Sequence, residues 1–165
     1  MLDAPLRKLS APVLAGAGAR LPGLGARGDM MSVVAFAVGL AAIPVLAVQH
    51  YWIGLALILL NRLIGALVDA AAPRVTGRGA FLDMTFDLIV FAGLPFGFAL
   101  GDPSHALAAC FLVFAIAASG ASAVFFNVQA TSSTGGIVFG YVGRIMEDTE
   151  LTLAFAVACI MPGWF

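Results

Sequence analysis

Apolar positions fall in long runs separated by short polar breaks, and they do not alternate with the two-residue period of half-buried strands. The runs cover residues 31–48, 52–72, 81–100, 105–126 and 147–160. The breaks are Gln49-His50-Tyr51, the segment 73–80 (PRVTGRGA), the turn 101–104 (GDPS) and a Ser-, Thr- and Gly-rich loop over 127–146. A membrane-crossing helix needs about 20 mostly apolar residues, so the pattern predicts about five spans. Ahead of them, Leu6, Leu9, Val13 and Leu14 recur near helical spacing with Arg7, Lys8 and Arg20 between them. That predicts an amphipathic helix over 3–20 lying in the membrane interface, followed by a Gly/Pro-rich turn at 21–29. The expected fold is an all-α polytopic transmembrane helix bundle, one integral membrane domain over residues 1–165, with no repeat of fixed period.

Composition removes the soluble alternative. Hydrophobic residues make up 62% of the 165, charged ones 10%, and mean hydropathy is +1.05. Soluble domains carry about 25% charged residues, so membrane lipids must serve as part of the solvent. Net charge is −1, which offers no basic surface and predicts no nucleic-acid partner. Residues 1–29 lack an unbroken apolar stretch, so no signal peptide is expected there. Cys110 and Cys159 sit inside apolar runs and read as buried, unpaired thiols. His50 and His105 lie at the ends of runs and read as interfacial side chains.

Loop cations set an orientation. Arg7, Lys8, Arg20 and Arg27 precede the first span, Arg74 and Arg78 follow the second, and Arg144 follows the fourth. The two loops on the other side hold no Lys or Arg. The positive-inside rule makes the cationic side cytoplasmic, so a bacterial inner-membrane protein with a cytoplasmic N-terminus is expected.

Four charged residues fall within the second and third spans: Arg62, Asp69, Asp83 and Asp87. A charge at membrane depth costs a few kcal/mol, so it faces the bundle interior and marks a site. Asp69 lies about two turns beyond Arg62, and Asp83 and Asp87 stand one turn apart on the next span. The short connection makes the two helices antiparallel neighbours, which predicts that Asp69, Asp83 and Asp87 converge near the cytoplasmic surface. Three readings remain open here, one of them an ion or proton pathway through these residues. Like charges one turn apart repel, and a hard divalent ion completed by substrate phosphate would relieve them. Alternatively, Arg62 pairs with Asp69 or Asp87 as a structural ion pair and Asp83 caps the third helix.

At these residues the chain resembles the CDP-alcohol phosphotransferase family, whose pattern is D-x2-D-G-x2-A-R-x8-9-G-x3-D-x3-D. The second half stands intact as Gly79-Ala-Phe-Leu-Asp83-Met-Thr-Phe-Asp87. Leu60-Asn61-Arg62-Leu63 looks like the lead-in on the family's second span, and Glu147-Asp148-Thr149-Glu150 resembles an acidic stretch opening a late helix. The first half departs. In ungapped register from Asn61, the first two aspartates fall on Gly65 and Val68, the glycine on Asp69 and the arginine on Pro73. Shifted by one, Asp69 meets the second aspartate and Arg74 the arginine, but the segment to Gly79 is too short. Family members commonly have six spans, against five predicted here.

The resemblance implies Mg²⁺ or Mn²⁺ held by Asp83, Asp87 and, in the shifted register, Asp69. It implies Asp87 as general base, and Gly79, Arg74, Arg78, Asn61 and Arg62 on the substrate. The implied donor is a CDP-linked lipid or alcohol, with CMP released in phospholipid biosynthesis. The damaged half supports an alternative, a catalytically inactive relative serving as a structural or accessory membrane subunit. A proton or solute pathway would need polar residues in the outer halves of the spans, and none occur. Gly39, Gly54, Gly65, Gly93 and Gly97 predict close helix contacts. The Gly93/Gly97 pair is compatible with a homodimer as well as with intrachain packing. Pro44 and Pro95 are candidates for kinks, and Phe111, Phe114, Phe125 and Phe126 for lipid-facing or core positions.

Overall fold

The computed structural model describes residues 28–71, 78–134 and 148–165. The interfacial helix expected over 3–20 lies outside them, as do Arg74 and Arg144. The described residues form five α-helices: α1 (Gly28–Ala47), α2 (Tyr51–Ala71), α3 (Arg78–Gly101), α4 (Ala106–Thr134) and α5 (Asp148–Ile160). Single 3₁₀ turns at Pro103–His105 and Pro162–Trp164 complete them. No strand occurs among the described residues, as a hydrocarbon environment requires of a chain that does not close into a barrel. Four helices are long and apolar enough to cross a membrane: Met30–Ala47, Tyr51–Val68, Leu82–Gly101 and Pro103–Ser122.

Two elements depart from the sequence pattern. The fourth run does not end at 126. Helix α4 continues through Asn127, Gln129 and the Thr/Ser stretch to Thr134, so the first part of the expected 127–146 loop is helical. Hydrophobicity reports where a helix leaves lipid, not where it stops, and no Gly or Pro falls between Phe126 and Gly135. At 29 residues the helix is about 44 Å long, longer than the hydrocarbon core of about 30 Å. Within the described residues, the fifth expected span is an apolar helix of 13 residues, about 20 Å long, shorter than the hydrocarbon core.

Helix α1 packs against both α2 and α3, α4 packs on α3, and α5 on α2. The tight α1–α2 connection ends in a Schellman arrangement. Gln49 N–H donates to Leu46 O at 2.9 Å and His50 N–H to Val45 O at 3.1 Å, with Gln49 in the left-handed region at φ 61°. Its side-chain amide also donates to Gly101 O at 2.7 Å, tying this turn to the end of α3.

Glycines let α1 and α3 approach. A Cβ on Gly97 would lie 2.8 Å from the Ile43 carbonyl oxygen, and one on Gly93 would collide with the Ile43 side chain. The Gly93/Gly97 pair is therefore used within the chain. Gly39 and Gly54 are equally crowded, by Val90 and Asn61 and by Leu46, whereas a Cβ on Gly65 would meet nothing within 4 Å. Gly65 thus does not mediate a close contact among the described residues. Pro44 and Pro95 both sit inside continuous helices.

The buried centre joins α1 to α5 and includes Leu46, Ile58, Phe91, Leu94, Phe98, Ile116 and Phe155. At one end Phe165 stacks on Phe98 with ring centroids 4.5 Å apart, and Tyr51 stacks on the other side at 5.7 Å. The perimeter is greasy: Trp52, Leu107, Phe111, Phe114 and Phe125 are exposed. In water such a surface would aggregate; in a bilayer it is the lipid contact. Both cysteines are free; Cys159 is buried, but Cys110, expected to be buried, lies on the exposed surface.

Candidate functional site

Helix α1 packs on both α2 and α3. Polar side chains link the first half of α1, the middle of α2 and the first half of α3.

Arg62 reaches from α2 to Asp87 on α3. One terminal nitrogen pairs with Asp87 Oδ1, and the other donates to Oδ2 at 3.4 Å. Both side chains are 22% exposed, so the pair is mostly removed from solvent. The guanidinium is held from two more directions. Its Nε donates to Asn61 Oδ1 at 3.0 Å, and its Cζ lies 4.8 Å from the Phe91 ring centroid, a cation–π distance. Asn61 is itself buried and donates from Nδ2 to the Ala35 carbonyl of α1 at 2.7 Å. Gly39 makes room for this: a Cβ there would lie 2.9 Å from Asn61 Nδ2. A small residue on α1 thus admits the amide that orients the arginine.

Asp83, one turn nearer the helix start, accepts a hydrogen bond from Ser32 Oγ of α1 at 2.5 Å. It does not cap α3: it is the sixth residue of that helix, past the turn whose N–H groups a cap serves. The two carboxylates of α3 therefore serve two neighbours, Asp83 bound to α1 and Asp87 to α2. Phe36 of α1 stacks on Phe86 of α3 with ring centroids 4.3 Å apart.

Of the sequence-predicted site residues, Asn61, Arg62, Asp83 and Asp87 are brought to this one region. Asp69 is a helical position of α2 two turns beyond Arg62, and Arg78 and Gly79 open α3; the side chains of these residues lie outside the described set. Among the described residues, no group of three or more His, Cys, Asp or Glu side chains could hold a metal ion. The ion-pair reading of Arg62 with Asp87 is realised. Val68, where the ungapped family register would put an aspartate, is instead a buried core side chain.

Sequence reasoning missed Ser32 and Phe91. Ser32 had a signal, as the one hydroxyl, amide or charged side chain between Asp29 and Gln49. Phe91 had none, since its role depends on Arg62 folding over its ring.

No family model matches the chain, and no solved structure matches it. The inner membrane protein YnjF of Escherichia coli (strain K12) is 37% identical over 174 aligned residues, which take in all of this chain and 84% of that protein. Identity at that level along the whole chain shows that this polytopic membrane protein belongs to the same family as the bacterial inner membrane protein YnjF.

Proposed function

We propose that the chain is a CDP-alcohol phosphotransferase-like membrane protein acting in phospholipid biosynthesis, oriented with its N-terminus in the cytoplasm. The observation that carries this reading is the pair Asp83 and Asp87. Two half-buried carboxylates one turn apart, within an intact G-x3-D-x3-D, stand in the first half of α3, soon after the basic positions Arg74 and Arg78 of the sequence. Acids at membrane depth are costly and by default mark a functional site.

Asp83 and Asp87 would offer carboxylate oxygens to one divalent ion, and Ser32 a hydroxyl beside Asp83, the oxygen chemistry that Mg²⁺ or Mn²⁺ prefers when substrate phosphate completes the shell. Bound there, such an ion would neutralise charge on the diphosphate oxygens of a CDP-linked donor. Asp83, fixed by Ser32, holds its geometry before substrate arrives. Asp87 takes the proton from the acceptor hydroxyl as the new O–P bond forms at the β-phosphorus and CMP departs with the electrons of the broken P–O bond. Arg62, with Arg74 and Arg78, supplies positive charge for the donor phosphates.

The test is CMP release by the full chain in mixed micelles, with Mn²⁺, radiolabelled CDP-diacylglycerol and a panel of alcohols. The reading expects CMP, lost by at least a hundredfold in Asp83→Asn and in Asp87→Asn. No CMP from correctly folded protein with any acceptor would overturn it. One observation favours a second reading, that of a non-catalytic membrane subunit. The Arg62–Asp87 pair already neutralises the carboxylate that catalysis needs, and core packing at Val68 removes a family ligand position. That reading expects no CMP and an unchanged fold when Asp83 is replaced.

A further inference from the structure

We propose that Asn61 is a positioning residue that touches no substrate: acting through Arg62, it fixes the direction in which the Asp87 carboxylate faces. The inference rests on the reading of Asp87 as general base and asks nothing of Asp83 or of a metal ion. The family resemblance implies Asn61 on the substrate, but its amide is spent inside the bundle. Asn61 is 4% exposed. Its Nδ2 donates to Ala35 O of α1 at 2.7 Å, and its Oδ1 accepts from Arg62 Nε at 3.0 Å.

These two bonds admit one orientation of the amide. Turned over, its NH₂ would meet the Arg62 Nε–H, donor against donor, and its oxygen the Ala35 carbonyl, acceptor against acceptor. The amide also has little room to shift, since a Cβ on Gly39 would lie 2.9 Å from Nδ2. The consequence passes to Arg62. A guanidinium can fork a carboxylate through Nε and one terminal nitrogen, or through its two terminal nitrogens. Asn61 takes the Nε–H, so the terminal pair is left for Asp87, and that is the pairing observed. Phe91 beneath Arg62 Cζ sets the tilt of the plane. The backbone of α1 thus orients a carboxylate on α3 through two side chains of α2. Each Asp87 oxygen keeps a further lone pair, and the fork dictates where it points, which for a base is the geometry of proton transfer.

The experiment has two arms, both on the full chain in mixed micelles. The first measures the coupling between Arg62 and Asp87 in unfolding, from the cycle of Arg62→Met and Asp87→Leu, with Asn61 present and again in an Asn61→Leu background. Without Asn61 the coupling is expected to fall by about half or more. The second follows CMP release. Asn61→Leu should lower kcat about tenfold or more, with KM for the CDP-linked donor changed less than about twofold. Arg62→Lys has no Nε–H for Asn61 to hold, so adding Asn61→Leu to it should slow it by no more than about twofold further. Asn61→Ser serves in both arms if the leucine variant does not fold. An Asn61 that only packs would lower the unfolding midpoint and leave kcat alone. Unchanged coupling, wild-type kcat in the Asn61 variants, or losses that multiply in the double variant would overturn the positioning role. Halved coupling without CMP from any variant upholds the orientation and sinks the enzymatic reading alone; CMP with unchanged coupling sinks the positioning role alone.

Discussion

Replacing Gly97 by Ala should destabilise the bundle, whereas the same change at Gly65 should not. Both glycines lie inside helices of the same membrane domain, so the gain in helix propensity, up to about 1 kcal/mol, is shared and cancels in the comparison. What differs is space. At Gly97 the new Cβ would lie 2.8 Å from Ile43 O, 3.3 Å from Ile43 Cα and 3.2 Å from Leu46 Cβ. Two of these three atoms are backbone, so no rotamer change clears them. Ordinary contact begins near 3.4 Å, and α1 and α3 would have to part by roughly half an ångström along that line. Overpacking of this kind costs about 1–3 kcal/mol. At Gly65 nothing lies within 4 Å, and the term vanishes. The difference between the two variants is therefore about 1–3 kcal/mol, with Gly97→Ala the weaker. Unfolding by sodium dodecyl sulfate in mixed micelles, followed by circular dichroism, reads it directly. Equal midpoints, or a more stable Gly97→Ala, would show that α1 and α3 are not packed backbone to backbone at this point.

Other outcomes can be checked on the same footing. Arg62→Met and Asp87→Leu should each cost about 1–3 kcal/mol by stranding a mostly buried charge, while the double variant should cost clearly less than their sum; additive losses would mean that the ion pair contributes nothing. Gln49→Ala should be less stable than Gln49→Gly by roughly 1 kcal/mol, because glycine accepts the left-handed backbone at that position, and both lose the bond to Gly101 O; thermal unfolding in detergent measures the order. The Asp102 carboxyl is held below its ordinary value by its hydrogen bonds from Ser104, side chain first and backbone N–H second, with His105 adding a smaller pull. A depressed folded-state value means that the stabilisation is present above the unfolded value near 4 and is lost as pH falls through the lower one. The gap in unfolding midpoint between wild type and Asp102→Asn should therefore narrow as the pH is lowered from 5 to 2, and a constant gap would sink that account.

The candidate site divides between what is written locally and what is not. Asp83 and Asp87 are legible because an acid in an apolar run is conspicuous and their spacing puts them on one side of α3 at any packing. Which neighbour each would find is not local information: the same i, i+4 pattern accommodates a shared ion or two separate partners. Ser32 is the only polar mark in its run, but nothing in α1 says that it faces α3 and not lipid.

The sequence by itself determined that this protein lives in lipid as a bundle of helices, because so few charges cannot cover a soluble surface and an apolar backbone must bond to itself. It also determined which residues carry charge into the membrane. The structure decided that α4 runs on through polar residues to Thr134, that α5 spans 13 described residues, and that Gly97 but not Gly65 carries a close approach. It also decided that Arg62 closes on Asp87. The Gly97 contact and the Arg62–Asp87 pair depend on the distance and facing between helices far apart in the chain, which residue spacing does not encode, whereas the ends of α4 and α5 follow from backbone hydrogen bonding that hydrophobic runs do not mark.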